Sequence, residues 1–405
     1  MNILFLHPNY PGQFLQLALY LATLNRHNVV YLSRDENGSK LPGVQVAKYK
    51  ISREATKGVH HYIKLAEEAV LEGQAVIKGI DALRRQINFV PDVVVGHSGW
   101  GSTLYVKDVL PNVPLIGYFE WYYHSIGSDV SYWPDEKVEI DDMCRVRTIN
   151  AHHLLSLQAC DVHYTPTEWQ KTQFPEMYRK DMKVIHEGVE TDFYKPMIGR
   201  KMIFERLKLN LSDCDEIVTY LSRGFEPYRG FPQFMEAVRI LLARRPKCHV
   251  VIAGTDKTCY GTQYSDNKTW KQLEEEKGGY DKNRVHFVGH LSRDEYLMLI
   301  QASTVHVYLT RPFVLSWSCL ESMAAGCCLV ASNTPPVVEA VEDGVNGLLA
   351  NFRHPEHIAY RIEEALDDAP LRARLGKAAR ESIIDKFDLK DCIRKQIDMI
   401  YGALK

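Results

Sequence analysis

The 405-residue chain contains no apolar run close to the ~20 residues that a membrane-spanning helix needs. Its opening, MNILFLHPNYPG, has no basic stretch ahead of the apolar residues, and those are too few for a signal peptide, so the segment reads as a buried first strand. None of the nine cysteines forms a Cys-x-x-Cys pair. Their odd number and scatter argue against a disulfide framework and for reduced thiols in a cytoplasmic protein, with the adjacent Cys327 and Cys328 as small core residues. Neither sign of charge is in excess: a net charge of −2 gives no nucleic-acid footprint and no general pull toward anionic lipid. No Gly-x-Gly-x-x-Gly follows the first strand, which disfavours a nicotinamide dehydrogenase. The chain also lacks short-period repeats and low-complexity segments.

What is present is an alternation. Short β-rich runs at Ile3–His7, Val29–Ser33, Val44–Tyr49, Val93–His97, Leu115–Phe119, Val162–Thr165 and Val184–His186 are separated by helical stretches, including Phe14–Leu24, one near His60–Gln86, and Asp142–Leu157. Alternation of this kind predicts βαβ units around a parallel sheet. It stops at the turn-rich GVETDFYKPMIGRKM (Gly188 to Met202) and resumes with strands at Ile217–Leu221, His249–Ala253, Val285–Val288, Val305–Leu309, Leu329–Ala331 and Leu348–Ala350. The length exceeds one ordinary core. The expectation is two Rossmann-like domains, 1–193 and 194–386, with a last helix at about 387–405 belonging with the first. Open α/β sheets bind ligands outside the carboxyl ends of their strands, so two facing domains would form a cleft.

Several segments carry candidate chemistry. In TRPFVLSWSCLESMAAGCCLVAS (Thr310 to Ser332), Glu321 is the one carboxylate in an apolar and small-residue run. It can accept hydrogen bonds from a ligand hydroxyl pair, or it can serve the dipole of its own helix, Ser318–Ala325. SRGFEPYRGF (Ser222 to Phe231) sets Arg223 and Arg229 on a loop ahead of a helix. Such a pair makes either a diphosphate clamp or two solvated arginines. In HPNYPGQF (His7 to Phe14), Gly12 marks a tight turn or a close backbone approach to a ligand. VVVGHSGWG (Val93 to Gly101) ends a strand on His97, which fits a site residue or a hydrogen-bonded structural histidine. GYFEWYYHS (Gly117 to Ser125) places Trp121, Tyr122 and Tyr123 beside Glu120 and His124, either as core or as a stacking surface. The His60–His61 and His152–His153 pairs lack metal-ligand spacing and read as ordinary helix residues.

In combination, the Gly turn, His97, HEGVETDFYKP, SRGFEPYRGF, FVGHLS and SCLESMAAGCCLVASNTPPVVEAVEDGVNGLLA resemble a glycosyltransferase of family four with the two-domain GT-B fold. The resemblance covers nearly the whole chain and is strongest from Ile185 to Phe352. It implies retaining transfer of a sugar from a nucleotide diphosphate sugar, without a metal or other cofactor. The acceptor would be a glycan, a lipid-linked sugar or a small molecule, and a peripheral place at the inner membrane face is allowed. The resemblance puts Glu321 on the nucleotide ribose and Arg223 and Arg229 on the donor diphosphate. It puts the amides of Val314, Leu315 and Ser316 on the donor sugar and distal phosphate, and the backbone of Val288, Gly289, His290 and Leu291 on the base. His97 would lie near the anomeric carbon, Gly12 would face the phosphates, and Glu120 to His124 would shape the acceptor side. Arg223 and Arg229 stand one residue further apart than the family's Arg and Lys, and the second is Arg rather than Lys. The family's first Glu, eight residues before Glu321, is here Phe313, which cannot accept a hydrogen bond. That departure leaves room for an altered donor sugar, a weakened or silent site, or an epimerase on the same fold.

Overall fold

A computed structural model describes residues 1–36, 41–261 and 268–404. The chain divides into two compact units, Met1–Gly188 with Leu389–Lys405, and Val189–Asp388. The divisions fall a few residues from the 193/194 and 386/387 limits expected from the sequence.

The first unit holds seven parallel strands: β1 (Asn2–Leu6), β2 (Asn28–Ser33), β3 (Val44–Lys48), β4 (Val93–His97), β5 (Leu115–Tyr118), β6 (Val162–Thr165) and β7 (Lys183–Val184). Their order is β3-β2-β1-β4-β5-β6-β7. β1 and β4 are almost wholly buried, which is why they read as continuous apolar runs rather than alternating ones. The helices used below are α1 (Leu15–Thr23), α2 (Lys64–Ile87), α3 (Ile140–Ile149) and α4 (Ala151–Ala159). The C-terminal helix Leu389–Ala403 buries Met399 and Ile400 in the same core as β1 and α1.

The second unit repeats the design with β8 (Ile217–Gly224), β9 (His249–Thr255), β10 (Val285–Gly289), β11 (Val305–Tyr308), β12 (Leu329–Ser332) and β13 (Leu348–Ala350). In their order, β10-β9-β8-β11-β12-β13, the chain again moves outward over three strands and then returns to the other side of the first, β8. Its relevant helices are α5 (Phe231–Arg244), α6 (Arg293–Gln301) and α7 (Trp317–Ala324).

Three local expectations are corrected. The single helix expected over Asp142–Leu157 is two, α3 and α4, broken at Asn150. That buried side chain both accepts from the Tyr123 amide (2.9 Å) and donates to the Tyr123 carbonyl (2.8 Å), so it serves a neighbouring loop. His60 and His61 lie in turns ahead of α2, not within a helix, and His61 pairs with Asp141 at 2.9 Å. The strand expected over Val184–His186 ends at Val184.

One buried histidine has a consequence for stability. Thr219 on β8 and His306 on β11 are register partners, and the Thr219 hydroxyl meets His306 Nδ1 at 2.7 Å. Burial holds the His306 pKa down, at about 4. A histidine that stays neutral when folded but titrates normally when unfolded stabilises the protein fully above the unfolded pKa, ~6.5. That contribution is lost as pH falls from there toward about 4. His7 and His153, also lowered by burial, act in the same sense. Glu72, Glu226 and Glu321, raised by burial, act in the opposite sense. His306→Asn isolates one contribution. The stability gap between variant and wild type should narrow by on the order of 3 kcal/mol between pH 7 and 4 in denaturant titrations. A gap independent of pH would refute this.

Candidate active site

Both sheets gather their polar residues where the strands end. In the first unit, His7 follows β1, His97 ends β4 and Glu120 follows β5. The Asn9 amide donates to His7 Nδ1 (2.9 Å), which puts the proton of the neutral imidazole on Nε2. His7 Nε2–H then donates to Gln13 Oε1 (2.7 Å), and Gln13 Nε2 donates to Glu120 Oε1 (3.0 Å). His97 has the same construction. The Gly99 amide donates to its Nδ1 (3.0 Å), and Nε2 faces Glu120 Oε2 at 3.5 Å without a hydrogen bond among the described residues. Two imidazole N–H groups thus converge on one carboxylate, one of them through Gln13. The two rings lie 4.9 Å apart, centroid to centroid. Burial, reinforced by the neighbouring His97, holds the His7 pKa well below the usual value and keeps it neutral.

Gly12 is explained by this network. It has φ +50°, and a Cβ there would come within 2.6 Å of the His7 ring. The glycine makes room for an imidazole, a role that neither reading of the sequence proposed.

The aromatic segment after β5 is mostly structural. Trp121 is buried, and Tyr122 packs on Phe174. Tyr123 is clamped by Asn150, and His124 Nε2 meets the Gln173 carbonyl at 2.7 Å. Of the three rings that the sequence allowed as core or as stacking surface, Trp121 is core, while Tyr122 and Tyr123 are half-buried and Tyr123 lines a cavity of the first unit. Of the five residues, Glu120 is the one that the structure brings to His97.

In the second unit, Arg223 lies at the exposed end of β8, with no hydrogen bond or ion pair on its guanidinium among the described residues. Arg229, expected as its partner on a ligand, turns inward. Its buried Nη1 donates to Tyr308 Oη (3.1 Å), Thr310 Oγ1 (2.7 Å) and the Val314 carbonyl (3.0 Å), and its guanidinium lies over the Tyr260 ring. Burial requires that a charge be hydrogen-bonded, and the loop after β11 supplies the acceptors. Glu226, between the two arginines, is wholly buried. It accepts from the amides of Cys259 and Tyr260, and burial raises its pKa.

The loop Thr310–Ser316 is therefore fixed from below. The Ser316 amide donates to Tyr308 Oη (2.8 Å), and the Ser316 hydroxyl caps α7, so that amide is already spent. The amides of Val314 and Leu315 have no partner among the described residues. Phe313 is buried, edge-on to Tyr228 and Tyr260 at 5.6 and 5.5 Å. The family's glutamate position is thus a packing position in this chain. Phe313→Glu should destabilise the protein by about 3 kcal/mol, from lost aromatic burial and a carboxylate placed among rings. Differential scanning calorimetry measures this, and an unchanged Tm with a changed donor preference would show that Phe313 sets specificity instead.

Glu321 lies in the second turn of α7, whose cap is Ser316, so the helix-capping alternative does not hold. It is half-buried, and desolvation raises its pKa, opposed by the nearby Tyr296 and Tyr194 hydroxyls and the charge of Arg293. After β10, the Val288 and His290 carbonyls accept from Arg206 Nη2, at 2.5 and 3.2 Å, which fixes the strand end around Gly289 and Leu291. His7, Gln13 and Glu226 were quoted within motifs but not singled out. Thr310 and Tyr194 also lay within quoted motifs, whereas Tyr308, Tyr296 and Arg206 gave no local signal, because their roles depend on partners distant in sequence.

Among the described residues no group of three or more His, Cys, Asp or Glu side chains could hold a metal ion, and no helix is long and apolar enough to cross a membrane.

Two parallel Rossmann-like sheets with polar clusters at their carboxyl ends place the chain among the two-domain α/β proteins. Residues 25–194 match the model of the glycosyl transferase family 4 group, and residues 202–382 match that of glycosyl transferases group 1. The chain belongs to this glycosyltransferase family. It is 25% identical over 218 residues to an uncharacterized glycosyltransferase of Methanocaldococcus jannaschii, covering 53% of this chain and 51% of that protein. It is 27% identical over 198 residues to the D-inositol 3-phosphate glycosyltransferase of Corynebacterium aurimucosum, covering 48% and 45%. The chain therefore spans about half the length of the curated relatives it matches. Among solved structures, Anabaena HepE in complex with UDP and glucose shares the fold, with a TM-score of 0.69, 16% identity, and coverage of 99% of this chain and 100% of that one.

Proposed function

We propose that the protein transfers a sugar from a nucleotide diphosphate sugar to an acceptor hydroxyl, with retention at the anomeric carbon and without a metal. The observation that carries this reading is the uncommitted Arg223 guanidinium at the end of β8, in the same unit as the unpartnered Val314 and Leu315 amides ahead of α7. Charge grows on the leaving diphosphate as the glycosidic bond breaks. A guanidinium and preorganised amides neutralise it where it develops, and losing one such donor typically costs ~10²- to 10³-fold in rate. The leaving phosphate oxygen takes the acceptor proton on the same face, so no side chain is assigned as general base. Arg229 acts from behind by fixing the loop rather than by touching the donor. Glu321 receives the ribose hydroxyls. The liganded state of Anabaena HepE makes UDP the first nucleotide to try.

The test is a thermal-shift series with UDP, GDP, ADP, TDP and CDP, with and without EDTA, followed by turnover of Arg223→Ala. One nucleotide should raise the melting point regardless of EDTA. Arg223→Ala should lose at least tenfold in turnover with little change in its own Tm, because the exposed guanidinium makes no hydrogen bond or ion pair among the described residues. No shift with any nucleotide would refute the donor site. A shift without turnover would favour a second reading, a silent nucleotide-sugar-binding subunit, to which buried Phe313 and inward-turned Arg229 lend support. Epimerised donor in the absence of any acceptor would identify an epimerase.

A further inference from the structure

The first unit contains a cavity of about 1240 Å³, larger than a compact small-molecule site requires. Its walls come from the carboxyl ends of four strands: Arg34 after β2, Tyr49 and Lys50 after β3, Gly99 and Trp100 after β4, and Tyr123 after β5. The β3–α2 loop and the first turns of α2 close the far side. In open α/β sheets this is the edge that ligands occupy.

The cavity is cationic in a chain that is otherwise slightly acidic. Arg34, Lys50, Arg53, Lys57 and Lys64 line it, against the carboxyls of Glu54, Glu68 and Glu72. Glu72 is buried at the floor, where the Tyr49 and Ser102 hydroxyls donate to it, and burial raises its pKa. Arg53 is committed to Glu67 at 2.7 Å. Among the described residues, the one ion pair of Arg34 is with Glu72, at 3.9 Å. Lys50, Lys57 and Lys64 are exposed and have no ion pair or hydrogen bond among the described residues. Each of them keeps its full attraction for an incoming anion.

Trp100 connects this cavity to the histidine network. It is 37% exposed, and its ring lies 4.6 Å from His97 and 5.2 Å from His7. Trp100 thus offers a partly exposed ring to the cavity, backed by the buried His97, within the same lining as the lysines.

We propose that this cavity is the acceptor site and that it takes a phosphate-bearing acceptor, held by Arg34, Lys50, Lys57 and Lys64 with its sugar ring on Trp100. The inference rests on the glycosyl-transfer reading for the word acceptor, and on the cavity alone for anion binding.

The test uses glucose 6-phosphate as probe and glucose as uncharged control, in calorimetric titrations of the full chain without nucleotide. Glucose 6-phosphate should bind at least tenfold more tightly than glucose, and the preference should weaken with salt. Lys57→Glu combined with Lys64→Glu should remove it while leaving the nucleotide-induced thermal shift intact. Flotation with phosphatidylglycerol vesicles, against phosphatidylcholine, distinguishes the source. Lysine-dependent vesicle binding that glucose 6-phosphate displaces assigns the phosphate to a lipid-linked acceptor, and binding of the sugar phosphate alone assigns it to a soluble one. Equal binding of glucose and glucose 6-phosphate, or a preference that survives the double substitution, overturns the proposal. A failed nucleotide shift with intact phosphate binding would instead count against the donor reading.

Discussion

Arg229→Met should lower the melting temperature by roughly 5–10 °C and reduce turnover at least 100-fold, although Arg229 is not expected to touch the donor. Methionine approximates the volume but leaves the Val314 carbonyl and the Thr310 hydroxyl without the donor they share in the native protein. An unsatisfied buried polar group costs ~1–3 kcal/mol, and two or three such groups together give about 3 kcal/mol or more. The kinetic loss follows from the same bonds. Nη1 ties the loop at Thr310 and Val314 to Tyr308 at the end of β11, and that loop carries the unpartnered amides. Arg229→Lys, the residue usual in the family, should recover part of the stability. A single ammonium reaches fewer of those acceptors than a guanidinium and lacks its planar fork. Calorimetry with steady-state kinetics decides the matter. A methionine variant as stable as wild type, with only KM raised, would return Arg229 to the ligand-clamp role suggested by its place in SRGFEPYRGF.

That reversal shows where sequence reading reaches its limit. The strands were legible because both sheets are parallel and their central strands are buried on both faces, so β1 and β4 read as nearly unbroken apolar runs, while the edge strand β3, VQVAK, is partly exposed. The parallel direction followed from βαβ alternation, whereas strand order and register came only with the structure. Candidate positions were legible for the same reason, since loops at the carboxyl ends of parallel strands hold the ligand whatever their composition. Direction was not legible. Arg223 and Arg229 sit on one loop, but one points out and the other in, and only the acceptors on Tyr308, Thr310 and Val314 reveal which. Trp121 was placed with residues that surround the site, although its indole is interior, because a strand end gives no signal of where alternation stops. One pattern was present and unread. His7, His97 and His186 stand in HPN, HSG and HEG, and in each the amide two residues on donates to Nδ1, at 2.9 to 3.0 Å. A histidine at a strand end followed by a turn predicts a fixed tautomer with Nε2–H presented, whatever else the residue does.

The fixed tautomers make Glu120→Gln the most informative substitution in the first unit. Both ends of the chain from His7 to His97 are set by backbone amides that cannot be reversed, since Asn9 N–H requires an acceptor at His7 Nδ1 and Gly99 N–H requires one at His97 Nδ1. Both rings must therefore send a donor inward, and Gln13 passes one of them on to Glu120. Only a group that accepts on both oxygens can end the chain. A glutamine at position 120 accepts on one side and faces a second donor on the other, whichever way its amide is turned. Flipping Gln13 merely moves the conflict to His7. The structure can relieve it by reversing the His97 tautomer against Gly99 or by tilting the ring away from Glu120. Either change displaces the imidazole that the family resemblance puts near the anomeric carbon. Turnover should fall by ~10²- to 10³-fold, while the melting temperature moves little because Glu120 is partly solvent-exposed. Long-range proton–nitrogen correlation spectra of the imidazoles separate this from a general loss of fit. Wild type should show His7 and His97 both protonated on Nε2, and the variant should show one of them reversed or exchanging. Wild-type turnover with unchanged tautomers would mean that the carboxylate does not set the histidine, and that the 3.5 Å approach of Glu120 to His97 is a neighbourhood without a function.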